Sequence, residues 1–191
     1  MGKFKRIDTS IEGVCVIEPT VFGDERGYFM ETYNKADFEE IGITGEFIQD
    51  NQSKSKKGVL RGLHFQKDHP QAKIVRCIRG EVFDVAVDLR PGSSTYGKWE
   101  GVVLSEENKK MFYIPRGFAH GFLVLSDTAE FCYKVDNVYD HNSEGGLVWN
   151  DKEVNVEWPL EGIDNVMIIE RDEKWPSLSE LKDTLEFKEL N

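Results

Sequence analysis

Two side chains suited to polar chemistry, Arg61 and His64, lie within an apolar run at residues 58–66 that is typical of a β-strand. Burying a guanidinium or an imidazole costs free energy unless a partner satisfies it, so both need a reason to be there. The imidazole is either a hydrogen-bonded core histidine or a proton-transfer base beside an anion-binding arginine. Strict alternation places the two side chains on opposite faces of the strand. A β-bulge at Gly62 would bring both into one cavity, and a glycine inside a strand often marks such a bulge.

A second candidate for proton transfer is Tyr133, which lies in a segment that alternates with period two. Ala129, Phe131, Tyr133 and Val135 share one face of the predicted strand, so we expect the phenol to point into the interior. On this pattern alone, Tyr133 is either a buried core tyrosine or an acid that delivers a proton. A similar choice holds for the four consecutive polar side chains at residues 49–52, which either cap loops or line a polar site.

The elements that must position these residues are short strands separated by turns. Apolar or alternating runs predict strands at residues 3–7, 14–18, 28–33, 58–66, 73–79, 81–89, 99–104, 110–114, 120–125 and 129–135. One short helix is predicted between an Asn34 cap and Gly42, and an amphipathic one over residues 177–190. This order indicates an all-β fold, a double-sheet jelly roll with helices only near the N-terminal third and the C-terminus. We expect a single domain over residues 1–191, with its jelly-roll core at about 45–140 and the other elements packed around it.

The composition narrows the class of partner. The chain has 191 residues, enough for one sizeable core, and its 12% of aromatic residues are expected to fill that core. A formal net charge of −11 argues against nucleic acid and anionic membrane as partners. No segment approaches the roughly 20 apolar residues of a membrane helix, and no apolar run follows the first six residues, so we expect no signal peptide. Cys15, Cys77 and Cys132 lack paired spacing and predict buried thiols in a reducing cytoplasm.

Two glycine-anchored patterns resemble the two halves of the cupin motif: Gly-x5-His at residues 58–64 and Pro-x-Gly-x2-His at residues 115–120. Cupin barrels usually hold a metal, and such metal sites need three or four nitrogen or oxygen ligands. Here Gln66 stands where the first half of the motif has a second histidine. His64 and His120 alone are too few ligands, so we expect a barrel without a metal.

A longer series of motifs runs in order along nearly the whole chain. It comprises Asp24-x-Arg26-Gly27-x-Phe29-x-Glu31, Gln49-Asp50-Asn51, Leu-Arg-Gly-Leu-His-Phe-Gln at 60–66, Lys73, Pro-x-Gly-Phe-Ala-His-Gly-Phe at 115–122, Tyr133-Lys134 and Trp149-Asn150-Asp151. Together these motifs resemble the dTDP-4-dehydrorhamnose 3,5-epimerase family. Each motif alone is weak, but this number at these separations is a specific match.

The resemblance implies an epimerase without cofactor or metal, which converts dTDP-4-dehydro-6-deoxy-D-glucose to dTDP-4-dehydro-L-rhamnose. By matching positions, His64 is the base, Tyr133 is the acid on the opposite face of the sugar, and Lys73 lies near the keto oxygen. Asp172 matches the carboxylate that orients the histidine. The residues implied to hold the nucleotide and diphosphate are Arg26, Glu31, Gln49, Asn51, Arg61, His120, Glu144 and Arg171, with Tyr139 stacking on the base. The family forms homodimers in which the segment 26–31 helps build the neighbouring site.

The implied chemistry suits these residue types. A ketone at C4 acidifies the hydrogens at C3 and C5, so a base and an acid suffice without a redox cofactor. Histidine titrates near working pH, and a phenol keeps its proton at pH 7. A lysine supplies the positive charge that an enolate oxygen needs. The four cations Arg26, Arg61, Lys73 and Arg171 could form a local basic cluster for a diphosphate on an otherwise acidic protein.

The chain departs from the family pattern in two places. Arg171 replaces the usual lysine before Asp172, and the segment Val-Asp-Asn-Val at 135–138 lacks the expected threonine. These differences leave the nucleotide and the sugar open. Because the same residues serve both centres, a C3-only epimerase remains an alternative. Two rivals from other classes are a metal-dependent cupin and a non-catalytic sugar-binding jelly roll.

Overall fold

A computed structural model describes residues 2–188 and Leu190 of the chain. Met1 and Asn191, which belong to the predicted domain, and Glu189, which belongs to the predicted C-terminal helix, lie outside the described residues. The strands are β1 (Phe4–Asp8), β2 (Cys15–Pro19), β3 (Phe22–Asp24), β4 (Gly27–Phe29), β5 (Gln49–Lys56), β6 (Leu60–Gln66), β7 (Lys73–Arg79), β8 (Glu81–Asp88), β9 (Trp99–Ser105), β10 (Met111–Ile114), β11 (Phe118–Val124), β12 (Thr128–Val135) and β13 (Glu144–Gly146). The helices are α1 (Lys35–Glu40), α2 (Glu170–Glu173) and α3 (Leu178–Lys182).

Two antiparallel sheets hold most of the strands and pack against each other. The six-stranded sheet has the order β1-β2-β10-β7-β12-β5, and the five-stranded sheet has the order β13-β6-β11-β8-β9. Strands β3 and β4 form a separate hairpin. The predicted all-β, double-sheet jelly roll is therefore confirmed. The N-terminal strands β1 and β2 are hydrogen-bonded into the larger sheet through β10.

The core between the sheets is rich in aromatic side chains, as the composition predicts. Phe112 on β10, Phe122 on β11 and Phe131 on β12 all point inward and are at most 5% exposed. The rings of Phe122 and Phe131, which come from opposite sheets, stack with their centroids 4.2 Å apart. Burying one phenylalanine stabilises a fold by roughly 1.5–3 kcal/mol, so these rings contribute strongly to holding the sheets together.

Each sheet also buries part of its outer face under a different part of the chain. Helix α1 places Phe38 on the six-stranded sheet, where it joins a cluster with Ile17 and Ile74. The C-terminal segment covers the five-stranded sheet through Leu178 and Leu181. Both sheets are therefore packed on part of their outer faces as well as against each other.

The two predicted helices are present, but one is much shorter than expected. Asn34 caps α1 by accepting two backbone N–H hydrogen bonds, as predicted. The prediction of a helix over residues 177–190 is wrong in extent, because α3 spans five residues. Farther along, the backbone N–H of Lys188 donates to the carbonyl of Lys67. The chain at Lys188 is therefore bound to the loop after β6 and does not continue the helix.

Two further segments differ from the prediction. The strand predicted at residues 28–33 ends at Phe29 and pairs with β3. Beyond it, the ring of Tyr33 packs against Phe38 and Phe47, with centroids 5.0 and 5.7 Å away, so this residue serves the α1 layer instead of a sheet. Helix α2 was not predicted, because its sequence Glu-Arg-Asp-Glu has no apolar stripe.

The three cysteines are unpaired thiols that lie on β2, β7 and β12. Cys15 and Cys77 are buried as predicted, whereas Cys132 is half-buried. Burial raises the pKa of the Cys15 and Cys77 thiols to about 11, so both stay protonated at neutral pH. Among the described residues, no helix has the length and apolar character to cross a membrane.

Candidate active site

The bulge predicted at Gly62 is present, and Arg61 and His64 line one cavity because of it. In the pairing of β6 with β11, His64 lies opposite His120 whereas Arg61 lies opposite Phe122, so three steps along β6 match two along β11. Gly62 has a φ of +116°, and the peptide bond that follows it is cis. A Cβ atom at Gly62 would lie 2.6 Å from backbone atoms of β11, so the close approach of the two strands requires glycine here.

The cavity has a volume of about 460 Å³ and is built from both sheets and α2. Seven of the predicted site residues line it: Arg61 and His64 on β6, Lys73 on β7, His120 on β11, Tyr133 on β12, and Arg171 and Asp172 on α2. An adjoining cavity of about 100 Å³ shares three of these residues and adds two further predicted ones, Tyr139 and Glu144. Nine of the thirteen predicted site residues are thus brought together.

His64 is held by a buried carboxylate. Its Nε2 atom lies 2.9 Å from Oδ2 of Asp172, which is 1% exposed. Asp172 also accepts hydrogen bonds from the backbone N–H of Gly62 at 3.3 Å and the indole N–H of Trp175 at 3.2 Å. Burial favours a higher pKa for Asp172, but His64, the backbone N–H of Gly62 and Arg171 outweigh it and hold the pKa below the ordinary value. The charged carboxylate fixes the imidazole and leaves Nδ1 of His64 able to take up a proton.

Tyr133 and Lys73 approach the cavity from the other sheet. Burial raises the pKa of the Tyr133 phenol, with nearby Arg61 opposing, so the hydroxyl keeps its proton at neutral pH. The protein around the half-buried Lys73 strips water from its ammonium and lowers the pKa to about 8, while Asp84 and Glu144 act in the opposite direction. Within the described part of the chain, Nζ of Lys73 has no hydrogen bond or ion pair, so it is available to a ligand.

Two arginines complete a cationic surface around the cavity. Arg61 donates from Nε and Nη2 to Oγ of Ser55, both at 3.1 Å. Arg171 donates to Glu144 at 2.8 Å and to Asp172 at 3.2 Å, and therefore links the His64–Asp172 pair to the adjoining cavity. The hydroxyl of Tyr139 donates to the same Glu144 oxygen at 3.1 Å. Three positive side chains at one cavity of an acidic protein favour an anionic ligand.

His120, predicted to bind the substrate, lines the cavity but is engaged with the protein. It is 7% exposed, and its Nε2 atom lies 3.0 Å from both carboxylate oxygens of Asp84. Burial lowers the pKa of His120, so the ring is neutral at pH 7.

Asp84 was not predicted as a site residue, although the sequence pattern of its strand contains a signal for it. The alternation of β8 puts Asp84 on the same inward face as Val82 and Ala86, where an acid needs a partner.

The four remaining predicted site residues lie outside the two cavities. Gln49 donates from Nε2 to Oδ1 of Asn51 at 2.9 Å, and Asn51 lines a separate depression of about 410 Å³ beside Tyr133. The polar run at 49–52 therefore lines a polar surface and does not cap a loop. Arg26 lies in the β3–β4 hairpin and pairs with Asp24, and Glu31 accepts a hydrogen bond from Lys3 at 2.6 Å. The chain does not bring Arg26 or Glu31 into its own cavity.

The donor set of the cavity does not fit a metal ion. The Nε2 atoms of His64 and His120 each face a carboxylate. Gln66, at the position of the missing cupin ligand, donates to the carbonyl of Val138 at 3.0 Å and accepts from the N–H of Asp140 at 2.8 Å. Among the described residues, no three histidine, cysteine or acidic side chains converge on one point.

Comparison with known proteins agrees with this geometry. The family model described as dTDP-4-dehydrorhamnose 3,5-epimerase matches residues 8–180. The chain belongs to the dTDP-4-dehydrorhamnose 3,5-epimerase family. The resemblance inferred from the motifs is thereby confirmed, and the match spans every element that lines the cavity.

Individual relatives support the assignment to this epimerase family over most of the chain. The dTDP-4-dehydrorhamnose 3,5-epimerase of Methanothermobacter thermautotrophicus is 54% identical over 94% of this chain and 97% of the relative. The crystal structure of the Legionella pneumophila 3,5-epimerase in complex with dTDP-4-keto-L-rhamnose superposes with a TM-score of 0.92 at 45% identity, covering 97% of this chain and 99% of that one. A dTDP-4-dehydrorhamnose 3-epimerase from Streptomyces niveus is 45% identical over 78% of this chain and 73% of the relative.

Proposed function

We propose that this protein epimerises C3 and C5 of dTDP-4-dehydro-6-deoxy-D-glucose to give dTDP-4-dehydro-L-rhamnose, without a cofactor or a metal. One observation carries the proposal: His64 and Tyr133 line a single cavity from opposite sheets. Inversion at a carbon requires removal of a proton from one face and delivery to the other. A base and an acid that face each other across a cavity supply both events.

In the proposed reaction, Nδ1 of His64 removes the proton from C5 or C3 of the sugar, and the electron pair of the broken C–H bond moves into an enolate. The oxygen at C4 then carries negative charge, which the Lys73 ammonium stabilises. Tyr133 delivers its hydroxyl proton to the same carbon from the opposite face. The phenolate and the imidazolium that remain return to their starting forms by proton exchange with water.

The cationic side of the cavity suits the diphosphate of the substrate. We propose that Arg61 and Arg171 bind its oxygens, since both guanidinium groups border the cavity. The other residues proposed to hold the nucleotide are Gln49, Asn51, His120 and Glu144, with Tyr139 stacking on the base. Tyr139 is 55% exposed beside the smaller cavity, which leaves one face of its ring free for such stacking.

We propose further that the protein acts as a homodimer in which Arg26 and Glu31 complete the partner's site. The β3–β4 hairpin supports this arrangement, because Phe22, Tyr28 and Phe29 are 57%, 60% and 66% exposed on it. Large apolar side chains clustered on an exposed hairpin favour burial against another surface. The Arg26 side chain is 84% exposed, pairs with Asp24 of the same hairpin and does not line its own chain's cavity, so it can contact another chain.

Mixed dimers test this exchange directly. Arg26→Ala and His64→Ala are each expected to reduce turnover when pure. After subunit exchange, a mixed dimer would contain one site with both native residues, so mixing the two variants should restore part of the activity. Light scattering should report a dimer throughout. A monomer, or a mixture no more active than its two components, would contradict the proposal.

The function itself is tested by incubating the protein with dTDP-4-dehydro-6-deoxy-D-glucose in D2O and recording NMR spectra. We expect deuterium at both C3 and C5 and product with the L configuration. The 45% identity to a 3-epimerase supports a second candidate, epimerisation at C3 alone. Deuterium and inversion confined to C3 would select it.

The same sample separates the remaining rivals. A non-catalytic sugar-binding jelly roll would bind the nucleotide sugar, yet the C3 and C5 hydrogens would not exchange. Elemental analysis would support the metal-dependent cupin if stoichiometric metal were found and if its removal also removed the activity.

We also propose a cytoplasmic location, which is supported by the unpaired state of Cys15, Cys77 and Cys132.

A further inference from the structure

Gln66, at the end of β6, is a buried polar side chain to which the proposed reaction gives no role. It is 5% exposed and lines the smaller cavity. A buried primary amide costs free energy unless its N–H groups and its oxygen all find hydrogen-bond partners. The position of those partners therefore indicates what the residue does.

The Gln66 amide bonds to the backbone of two loops. Its Nε2 atom donates to the carbonyl oxygen of His69 and, at 3.0 Å, to that of Val138. Its Oε1 atom accepts from the backbone N–H of Asp140 at 2.8 Å. Because a carbonyl only accepts and a peptide N–H only donates, these partners fix the orientation of the amide. One side chain thus joins the loop after β6 to the segment 138–140, which lies between β12 and β13.

The two partners in this segment flank Tyr139. The carbonyl of Val138 belongs to the peptide group before Tyr139, and the N–H of Asp140 belongs to the peptide group after it. Each peptide group is planar, so holding both leaves the φ and ψ angles of Tyr139 little freedom. Gln66 therefore determines the direction in which the Tyr139 side chain leaves the backbone.

Tyr139 receives little support from packing. Its side chain is 55% exposed, and that of Val138 beside it is 50% exposed. The hydroxyl of Tyr139 donates to Glu144 at 3.1 Å, which fixes the far end of the side chain. The ring is thus held at its backbone by Gln66 and at its hydroxyl by Glu144, and it lies at the smaller cavity.

Other contacts join the same two loops but do not adjoin Tyr139. Oγ of the buried Ser143 accepts from the backbone of the loop after β6 at 2.7 and 3.2 Å. Nε2 of Gln71 donates to the carbonyl of Asn137 at 2.9 Å. These contacts hold the loops together, whereas Gln66 binds the peptide groups of the residue proposed to stack on the base.

We propose that Gln66 is a positioning residue for nucleotide binding, which holds both peptide groups of Tyr139 and so keeps its ring ready to stack on the base. Such preorganisation raises affinity because less conformational entropy is lost on binding. The inference rests on the proposed function only in assigning the base to Tyr139. Gln66 touches no substrate atom in this account, and proton transfer at His64 does not depend on it.

A double-mutant cycle tests whether Gln66 acts through Tyr139. Calorimetric titration gives the Kd of dTDP for Gln66→Met, Tyr139→Ala and the double variant. Tyr139→Ala should raise the Kd roughly 5- to 100-fold, as for loss of an aromatic ring that stacks on a base. Gln66→Met should raise it roughly 3- to 10-fold, the cost of ordering one side chain on binding.

The double variant decides between the two modes of action. In the Tyr139→Ala background, Gln66→Met should change the Kd by less than about twofold, because the ring that Gln66 positions is gone. Two effects that simply multiply would show that Gln66 acts independently of Tyr139, which would overturn the proposal.

Kinetics separate positioning from general damage to the site. Gln66→Met should raise KM for dTDP-4-dehydro-6-deoxy-D-glucose with kcat unchanged, since stacking on the base is the same in the ground state and the transition state. Asn108→Leu is the matched control. The Asn108 amide also makes three hydrogen bonds to loop backbone, but it lines neither cavity. It should leave KM unchanged. A fall in kcat without a rise in KM in Gln66→Met would contradict the proposal.

Amide hydrogen exchange tests the positioning without ligand or turnover. The N–H of Asp140 donates to Gln66, so NMR should show it exchanging roughly 3- to 10-fold faster in Gln66→Met, as for loss of one hydrogen bond. Failure of the wild type to bind dTDP would contradict the proposed function. An unchanged Asp140 exchange, or an unchanged Kd in Gln66→Met while the wild type binds dTDP, would contradict this inference alone.

Gln66→Ala covers the case in which Gln66→Met does not fold. Because Gln66 lines the smaller cavity, truncation makes room for water, which can satisfy the three backbone groups that the amide leaves. Water does not tether the two loops, so the Kd of dTDP should still rise with kcat kept. A normal Kd in folded Gln66→Ala would overturn the proposal.

Discussion

His64 on β6 and Tyr133 on β12 belong to different sheets and line the same cavity. The double-sheet fold thereby places an imidazole and a phenol on two sides of one cavity, and the proposed proton transfer on opposite faces of the sugar requires such a pair. His64 is held by Asp172, and the phenol of Tyr133 keeps its proton because burial raises its pKa. The arrangement makes the roles of individual residues separable by substitution.

The bulge at Gly62 is predicted to be indispensable to the geometry. In Gly62→Ala the new Cβ would lie 2.6 Å from Gly121 Cα and from the carbonyl oxygen of His120, so the strands must separate. Because this shift displaces both Arg61 and His64, we expect turnover to fall by roughly 10²-fold or more, together with a lower melting temperature. Steady-state kinetics and thermal unfolding measure the two effects.

Gly92→Ala is a matched control that separates the steric clash at Gly62 from the cost of placing alanine at a positive φ. Gly92 has a φ of +78°, and a Cβ atom there would meet nothing within 4 Å. Gly92→Ala should therefore show only a modest loss of stability and normal turnover. Equal activity losses in Gly62→Ala and Gly92→Ala would show that the bulge has no special role.

Arg61 and Lys73 should respond differently to truncation, although both are cations of the cavity. Arg61→Ala removes a diphosphate contact made in the ground state and the transition state, so KM should rise roughly 10- to 100-fold, as for a charged hydrogen bond of about 1.5–3 kcal/mol. Lys73→Ala removes a charge that matters only once the enolate forms, so kcat should fall roughly 10²–10³-fold. The reverse pattern in Michaelis–Menten kinetics would mean that the two roles are exchanged.

Asp172→Asn should weaken catalysis less than removal of the base does. The amide preserves the volume, but it can donate as well as accept, and so it no longer fixes one tautomer of His64. We expect kcat to decrease by less than the roughly 10²–10⁴-fold loss of a general base. If Asp172→Asn abolished cooperative unfolding by circular dichroism, the carboxylate would be a structural group first.

Asp88 should govern part of the acid lability of the fold. Burial favours a higher pKa, but hydrogen bonds from Arg90, Thr95 and Ser93 outweigh it and depress the pKa. Its stabilisation is therefore present above the unfolded pKa of about 3.9 and is lost as pH falls through the folded pKa. Urea unfolding at pH 3 and pH 6 should show a smaller difference in Asp88→Asn than in the wild type. Asp127→Asn, at an exposed carboxylate, should leave that difference unchanged.

Much of the architecture could be predicted because alternation reports directly on a half-buried strand. The inward positions of β12, including Phe131 and Tyr133, follow from period two alone. The strand predicted beyond Phe29 failed because Tyr33 finds its partners in the α1 layer, and the predicted helical continuation of α3 failed because Lys188 is bound to the loop after β6. Both are long-range contacts that no local pattern contains.

Part of the candidate site could be predicted from the sequence, whereas Asp84 could not. The resemblance to the family placed His64, Tyr133 and Asp172 in one site, although Tyr133 and Asp172 lie far apart in sequence, and all three line the cavity. Asp84 was missed because no motif contains it, and an isolated acid in a strand gives no hint of its partner. Only the pairing of β8 with β11 shows that its carboxylate meets His120.

The most direct test of the account separates proton removal from proton delivery. Tyr133→Phe removes the delivering hydroxyl but keeps the ring and most of its packing, so the fold should persist. His64 can still remove a proton and return it to the same face. In D2O, NMR should therefore show deuterium entering C3 or C5 with retained configuration, while inverted product falls sharply.

His64→Ala is the counterpart in the same measurement, and it should lose exchange and inversion together by roughly 10²–10⁴-fold, with binding of the nucleotide sugar largely kept. The account predicts this split: exchange without inversion in Tyr133→Phe, and neither in His64→Ala. Inversion of both centres at the normal rate in Tyr133→Phe, or near-normal turnover in His64→Ala, would contradict it.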